Sequence, residues 1–322
     1  MKAVSKMNSG RSHLSRVRSG KETNRALTLD MRPTTYYPSK DAAFKQALID
    51  AKYYPREFGW LDANYRSHRD REPNNLDEIH KRLQQQIEPS LSPFQFTNED
   101  FLHFRSLHYS DTPSKAEVMS SILPIIQGRE AIASGQDCFF GNLKPLAQNM
   151  SKAKPDYFNG SYSKEIHTKI QKDLGEYIMP SDNSRPLLPN FFFEQVFGRG
   201  EYLNAESKIT EDLAYGARGM HKIQSYGQGQ SVFDGNAYTI GLIYDWYDRA
   251  ITCYSMHVTG PAGPNGEPNY WTDHICSFQM IDSVDNFREG VAALRNAQDW
   301  AKEQRDKFIA LANERVTIDE GG

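Results

Sequence analysis

The run Pro189-Asn190-Phe191-Phe192-Phe193-Glu194-Gln195-Val196-Phe197 constrains the fold more than any other part of the chain. Three consecutive phenylalanines flanked by proline and glycine predict a buried strand. The strand delivers one acid. A carboxylate at the end of a buried strand must meet a metal, a cation or water, or else bear a steep desolvation cost, so Glu194 is a candidate site residue. Upstream, Lys154-Pro155-Asp156-Tyr157-Phe158 brings a second acid, Asp156, beside aromatic residues.

Composition narrows the class. A chain of 322 residues is long enough for one large domain with an arm, and 38% apolar with 25% charged residues is the balance of a globular protein. Cys138, Cys253 and Cys276 have no paired spacing, which argues against a zinc ribbon or disulfide framework and for a reducing, intracellular setting in nucleus or cytoplasm. No stretch approaches 18 apolar residues and the amino terminus has no apolar signal core, so neither secretion nor a membrane partner is expected. The formal charge of −3 is uneven: residues 1–25 carry seven Lys or Arg against Glu22, a balance of +6 that leaves −9 for the rest. Arg11, Arg16 and Arg18 in this Ser-rich arm are candidate nucleic-acid contacts, since exposed cations release counterions from a polyanion. A solvated terminus without that role is the alternative.

Residues 1–33 show no apolar periodicity and are expected to be a disordered basic arm. A helical extension follows over 34–112, with helices near 41–49 and 76–87. A third begins at Thr97, where Asp100 completes a capping box and Phe96 can staple onto Phe101. The core is expected over 113–316. It opens with a helix from Ser114 to Ile126, and strands follow at 155–159, 187–197, 237–247, 250–258 and 270–280. Helices at about 163–177 and 204–224 interrupt them, Asp248-Arg249 predicts a hairpin, and a helix capped by Ser283 closes the core over 284–316. A short disordered tail, 317–322, ends the chain. Strands interleaved with helices make this an α/β fold.

Several segments then acquire a common meaning. Pro186-Leu187-Leu188-Pro189-Asn190-Phe191-Phe192-Phe193-Glu194, Gly216-Ala217-Arg218-Gly219-Met220-His221, Asp234-Gly235-Asn236-Ala237-Tyr238-Thr239-Ile240 and Phe287-Arg288-Glu289-Gly290 resemble a family of largely uncharacterised fungal proteins with a PD-(D/E)XK nuclease-like domain. Leu91-Ser92-Pro93, Leu123-Pro124-Ile125-Ile126 and the run from Arg295 to Arg305 extend the likeness to roughly residues 38–315. It implies a restriction-endonuclease-like mixed sheet flanked by helices, with Asp156 and Glu194 as ligands of Mg²⁺. Two hard carboxylates suit that ion, which keeps part of its water shell.

The chain departs from the family where the chemistry is concentrated. Val196 stands in place of the motif lysine, Gln195 in place of alanine, and Phe197-Gly198-Arg199-Gly200 in place of the glycine-rich continuation. Valine can neither activate water nor offset phosphate charge, and losing one such group costs about 10²–10³ in rate. The family's helix Gln and Tyr fall on Lys208 and Glu211, which makes Lys208 a candidate displaced lysine. Glu117, on the first core helix, is a candidate third acid. Arg218 between small residues is a candidate phosphate contact. The primary expectation is a degenerate nuclease-like protein that binds nucleic acid or a protein partner. An active Mg²⁺-dependent nuclease using Lys208, and an interaction scaffold without a nucleic-acid role, are the alternatives. Oligomeric state is not legible.

Overall fold

The computed structural model describes residues 42–56, 72–85, 97–109, 114–127, 132–148, 150–182, 184–198, 201–263 and 266–321, with side chains through Ile318. All lie within the unit Thr35–Gly322. The expected arm over 1–33, with Arg11, Arg16 and Arg18, lies outside the described residues, as does Phe96.

Seven strands form one mixed sheet: β1 (Tyr53–Tyr54), β2 (Ser134–Gln136), β3 (Tyr157–Ser161), β4 (Leu187–Val196), β5 (Ala237–Asp245), β6 (Ala250–Thr259) and β7 (Asn269–Gln279), in the order β1-β7-β6-β5-β4-β3-β2. β4 and β5 are parallel, as are β1 and β7, and the other neighbours are antiparallel. The parallel β4–β5 pair lies in the interior of the sheet, where helices cover both faces, and β4 is buried at every position. The hairpin between β5 and β6 closes with Arg249 at φ 54°, the left-handed geometry that a tight reversal imposes.

The helices are α1 (Ala42–Asp50), α2 (Leu76–Leu83), α3 (Asn98–Leu107), α4 (Lys115–Ser121), α5 (Leu123–Ile126), α6 (Thr168–Ile178), α7 (Tyr202–Ser225) and α8 (Val284–Gly321). On one face, α2 to α5 and the first half of α8 bury Ile79, Phe104, Ile126, Phe287 and Trp300 against Phe191, Phe193, Leu242 and Tyr244. On the other, α1 and α7 bury Phe44, Leu48, Ile209 and Leu213 against Phe192, Val196 and Ile243. A third cluster joins α6 to the carboxyl-terminal halves of α7 and α8. Phe191, Phe192 and Phe193 are each at most 1% exposed, worth about 1.5–3 kcal/mol of transfer from water apiece.

Sequence and structure differ in four places. The segment expected as one helix over 114–126 breaks at Ile122, because Pro124 in the next turn supplies no amide to continue the ladder. The expected helical extension also contributes a strand: Tyr53 and Tyr54 pair with Tyr270 and Trp271 at the sheet edge, so it belongs to the same sheet as the core. β2 is a further strand without a sequence expectation. The last helix continues past 316 to Gly321, taking in the segment expected as a disordered tail. The expected caps are present at Thr97, with its Asp100 partner, and at Ser283, which accepts from the Asn286 amide at 3.1 Å.

Candidate functional site

Alternation along β4 sorts its side chains. Phe191 and Phe193 pack toward α8, whereas Phe192 and Val196 pack toward α7. Glu194 shares that second face and points at α7 from between two apolar neighbours. Asp156 immediately precedes β3, and the register Tyr157↔Phe193 places it opposite Glu194. The two acids close the end of the β3–β4 ladder. The Asp156 amide donates to Glu194 Oε1 at 3.0 Å, and the Gln195 amide donates to Asp156 Oδ2 at 3.0 Å.

α7 runs back over this face, and its spacing matches that of the strand. Four helical residues advance about 6 Å and two strand residues about 6.6 Å, so the two rows keep step. Gly216 lies over Phe192: a Cβ there would meet the ring at 2.7 Å, the Thr239 methyl at 2.7 Å and the Pro189 carbonyl oxygen at 3.0 Å. Asp212, one turn earlier, lies against Glu194. Lys208 stands a further turn back on α7. Its Nζ donates to Glu194 Oε2 and, at 3.3 Å, to Asp156 Oδ1.

Lys115, in the first turn of α4, supplies a second ammonium to Asp156 Oδ1. Asp156 and Glu194 are 1% and 2% exposed at the side chain, Lys208 25% and Lys115 45%, so the lysines form the open side of a pair of buried acids. Burial raises the Glu194 pKa, the Asp156 charge adds to this, and Lys208 opposes it. Burial alone would lower Lys208; the carboxylates of Glu194, Asp156 and Asp212 outweigh it and hold the ammonium above the usual lysine range. Glu211 is pushed up to about 8 by burial, with Lys208 opposing and Glu194 adding to the rise. Asp212 is raised well above the carboxylate range, again by burial first and Glu194 second.

The structure therefore brings Asp156, Glu194 and Lys208 together and leaves two other candidates apart. Glu117 sits at the third position of α4, where its carboxylate accepts from the Ser114 amide at 2.6 Å and completes a capping box. That exposed cap uses the group which the sequence suggested as a third acid. Arg218 lies ten residues beyond Lys208 on α7, about 15 Å along the axis. Its guanidinium donates to the carbonyls of Lys144 and Pro145, stacks over Tyr215 and Tyr177, and is 7% exposed, which makes it a tie for the 144–145 loop. The corresponding acidic and basic contributions come from Asp212, Glu211 and Lys115. The first two stand four and three residues after Lys208, a helical spacing visible in the sequence. Lys115 depends on where α4 docks and has no such signal.

The donors fit a hard divalent cation. On the Glu194 face, Asp212 Oδ1 and Oδ2 and Glu211 Oε1 are buried oxygens without a hydrogen-bond partner among the described residues, and carboxylate oxygens are ligands such an ion takes. Among the described residues, no three His, Cys, Asp or Glu side chains form a ready metal cage. Mg²⁺ does not require one, since one or two carboxylates with water suffice. Comparison with protein-family models, with curated proteins and with solved structures finds no match for this chain. No helix among the described residues is long and apolar enough to cross a membrane.

Proposed function

We propose that the chain is a divalent-cation-dependent phosphodiesterase that cleaves nucleic acid, built on a restriction-endonuclease-like sheet, with Lys208 in the place of the lysine missing at Val196. The observation that carries this is the position of the Lys208 ammonium. It contacts both Asp156 and Glu194, the two acids beside which the motif lysine would stand. An acid opening one strand, an acid on its antiparallel neighbour and a helix returning over both is also the order that the family resemblance implies.

Asp156 and Glu194 would hold Mg²⁺, which when bound polarises a phosphate oxygen and offsets the charge of the transition state. Lys208, a quarter exposed, presents its ammonium at the same opening and orients the phosphate. The high proton affinity of Lys208 assigns it a positioning and electrostatic task rather than that of a base. The apolar packing of Phe192 and Val196 beside the acids strengthens each of these interactions by excluding water.

A second reading rests on the double neutralisation of Asp156 by Lys115 and Lys208, which satisfies this acid without a metal. In that case the site is a stabilising ion cluster in a protein that binds nucleic acid or another protein without cutting. The test is cleavage of single- and double-stranded DNA and RNA by the purified full chain with Mg²⁺ or Mn²⁺. Cleavage lost in both Glu194→Ala and Lys208→Ala supports the phosphodiesterase. No cleavage above the Glu194→Ala control, with retained binding in a mobility-shift assay, establishes the binding protein. Neither cleavage nor binding leaves the interaction scaffold.

A further inference from the structure

We propose that Cys253 and Cys276 are a redox-active thiol pair, which a hydroperoxide converts into a disulfide joining β6 to β7. The inference stands apart from the phosphodiesterase reading and uses none of its residues.

The two thiols are 23 positions apart, a spacing that carries no signal in the sequence. The sheet brings them together. Cys253 on β6 is the register partner of Cys276 on β7, and the next pair along is Tyr254 with His274, so Ile275 is an extra residue on β7. This bulge decides which face Cys276 occupies. On one side of it, Tyr270 packs on the α7 face, and the His274 ring lies edge-on to Tyr254, which belongs to the same cluster. On the other side, Cys276, Phe278 and Met280 continue the even-numbered row but pack on the α8 face, with Ile251 and Cys253. Without the extra residue Ile275 would stand opposite Cys253, and Cys276 would lie on the far side of the sheet. With it, the two thiols share one face and are directly opposed.

Opposed residues of an antiparallel pair hold their Cβ atoms about 4.5–5.5 Å apart, and a disulfide needs about 3.5–4.5 Å. The ranges meet, so the bond asks only for a short approach of strands already in register. Cys253 is fully buried and Cys276 half-buried, which makes Cys276 the sulfur that an oxidant meets first. The contact with Cys276, and then burial, hold the Cys253 thiol well above the ordinary thiol range, so it rests protonated. In the first step the Cys276 sulfur attacks the terminal oxygen of the hydroperoxide; the O–O bond breaks, and the alcohol, or water from hydrogen peroxide, leaves with the thiol proton. The Cys253 sulfur then displaces hydroxide from the sulfenic acid so formed, and its own proton completes a water molecule. Two thiols give up two electrons to one peroxide. Cys138 lies in the cluster on the other face and takes no part.

The experiment oxidises the reduced full chain with hydrogen peroxide under native conditions, removes the peroxide with catalase, and alkylates the denatured chain with N-ethylmaleimide for mass spectrometry. The untreated chain has the free cysteines Cys138, Cys253 and Cys276 and takes a label on each. After oxidation only Cys138 should be labelled, chymotryptic digestion should yield a cross-link between Cys253 and Cys276, and dithiothreitol should restore both lost labels. Full labelling after oxidation, a link that includes Cys138, or Cys276 carried on to sulfinic acid beside a labelled Cys253 each overturns the proposal. In a second arm, Cys138→Ser should lose both of its labels on oxidation, whereas Cys276→Ser should keep both; loss of labels from Cys276→Ser overturns the pairing. Should either variant fail to fold, the wild-type link decides on its own.

Discussion

Replacing Lys208 by methionine separates an ion cluster that holds the fold from a surface lysine. Methionine keeps the length and apolar stem of the side chain and removes the ammonium. Glu194 is then left with the Asp156 amide and Asp156 with Lys115 and the Gln195 amide. Breaking a buried pair by removing one partner costs about 3–5 kcal/mol. The lower end, about 3 kcal/mol, applies because Lys208 is partly exposed and Lys115 still serves Asp156. The loss should depend on pH in a definite sense. Glu194 is already raised above its ordinary 4.5 by burial and by Asp156, and it rises further without Lys208. In the interval between 4.5 and the raised value the folded chain holds a proton that the unfolded chain has released, so stability falls as pH rises through that interval. Urea denaturation monitored by tryptophan fluorescence should therefore find Lys208→Met closer to wild type at pH 5 than at pH 8. In a cycle with Glu194→Gln, the double variant should recover at least about 1 kcal/mol relative to the sum of the single losses. A loss below about 1 kcal/mol, or additivity within about 0.5 kcal/mol, would refute the ion cluster as a stabilising unit.

Four further outcomes are expected. Gly216→Ala should cost about 1–3 kcal/mol in urea, because its Cβ meets the Phe192 ring and a backbone oxygen; Gly175→Ala on α6, with no atom within 4 Å of the new methyl, should instead gain about 0.5–1 kcal/mol, and equal effects would contradict the close packing of α7. Burial holds His108 and His221 down at about 4 from an ordinary 6.5, so the unfolded chain takes up protons first on acidification and stability should decline from about pH 6.5 toward pH 4; a melting temperature flat over that range would count against both buried neutral rings. Val196→Lys should lower the denaturation midpoint sharply, since Val196 is 2% exposed in an apolar cluster, and an unchanged midpoint would show that the position is open to water. Deletion of residues 1–33 should leave the melting temperature unchanged and reduce the salt dependence of nucleic-acid binding, and a large drop in melting temperature would show that the segment is part of the fold.

Much of the sheet was legible because it is written in long periodic segments. The Phe run, the Tyr-, Ile- and Thr-rich segments 237–247 and 250–258, and the capped helices are local patterns, and the structure places strands or helices at each. β1 and β2, with two and three residues, are too short to carry a period and exist through their partners. At the site, Asp156 and Glu194 could be read from Pro-Asp and from the acid ending an apolar strand, and the absence of lysine at Val196 is plain. What could not be read is the height at which α7 docks on β4. That height depends on Gly216 meeting Phe192, a long-range consequence of packing. Arg218 shows the converse: flanking glycine and alanine suggest an open approach for a phosphate, whereas the small residues bring α7 close to the sheet and the guanidinium fastens a loop.

The reciprocal bonds between Asp156 and Glu194 carry a consequence for descent. Each carboxylate accepts the main-chain amide of the opposite strand, so the pair acts as a buckle at the open end of the β3–β4 ladder. Selection for a stable fold alone would preserve both acids, whatever the chain acts on. Lys208 meets the two acids through their side chains alone, so its retention is tied to the charged cluster and not to the closing of the ladder. Among descendants of this chain, retention of the two strand acids would record only that the sheet still closes, while the fate of Lys208 would record whether the charged cluster beside them was kept.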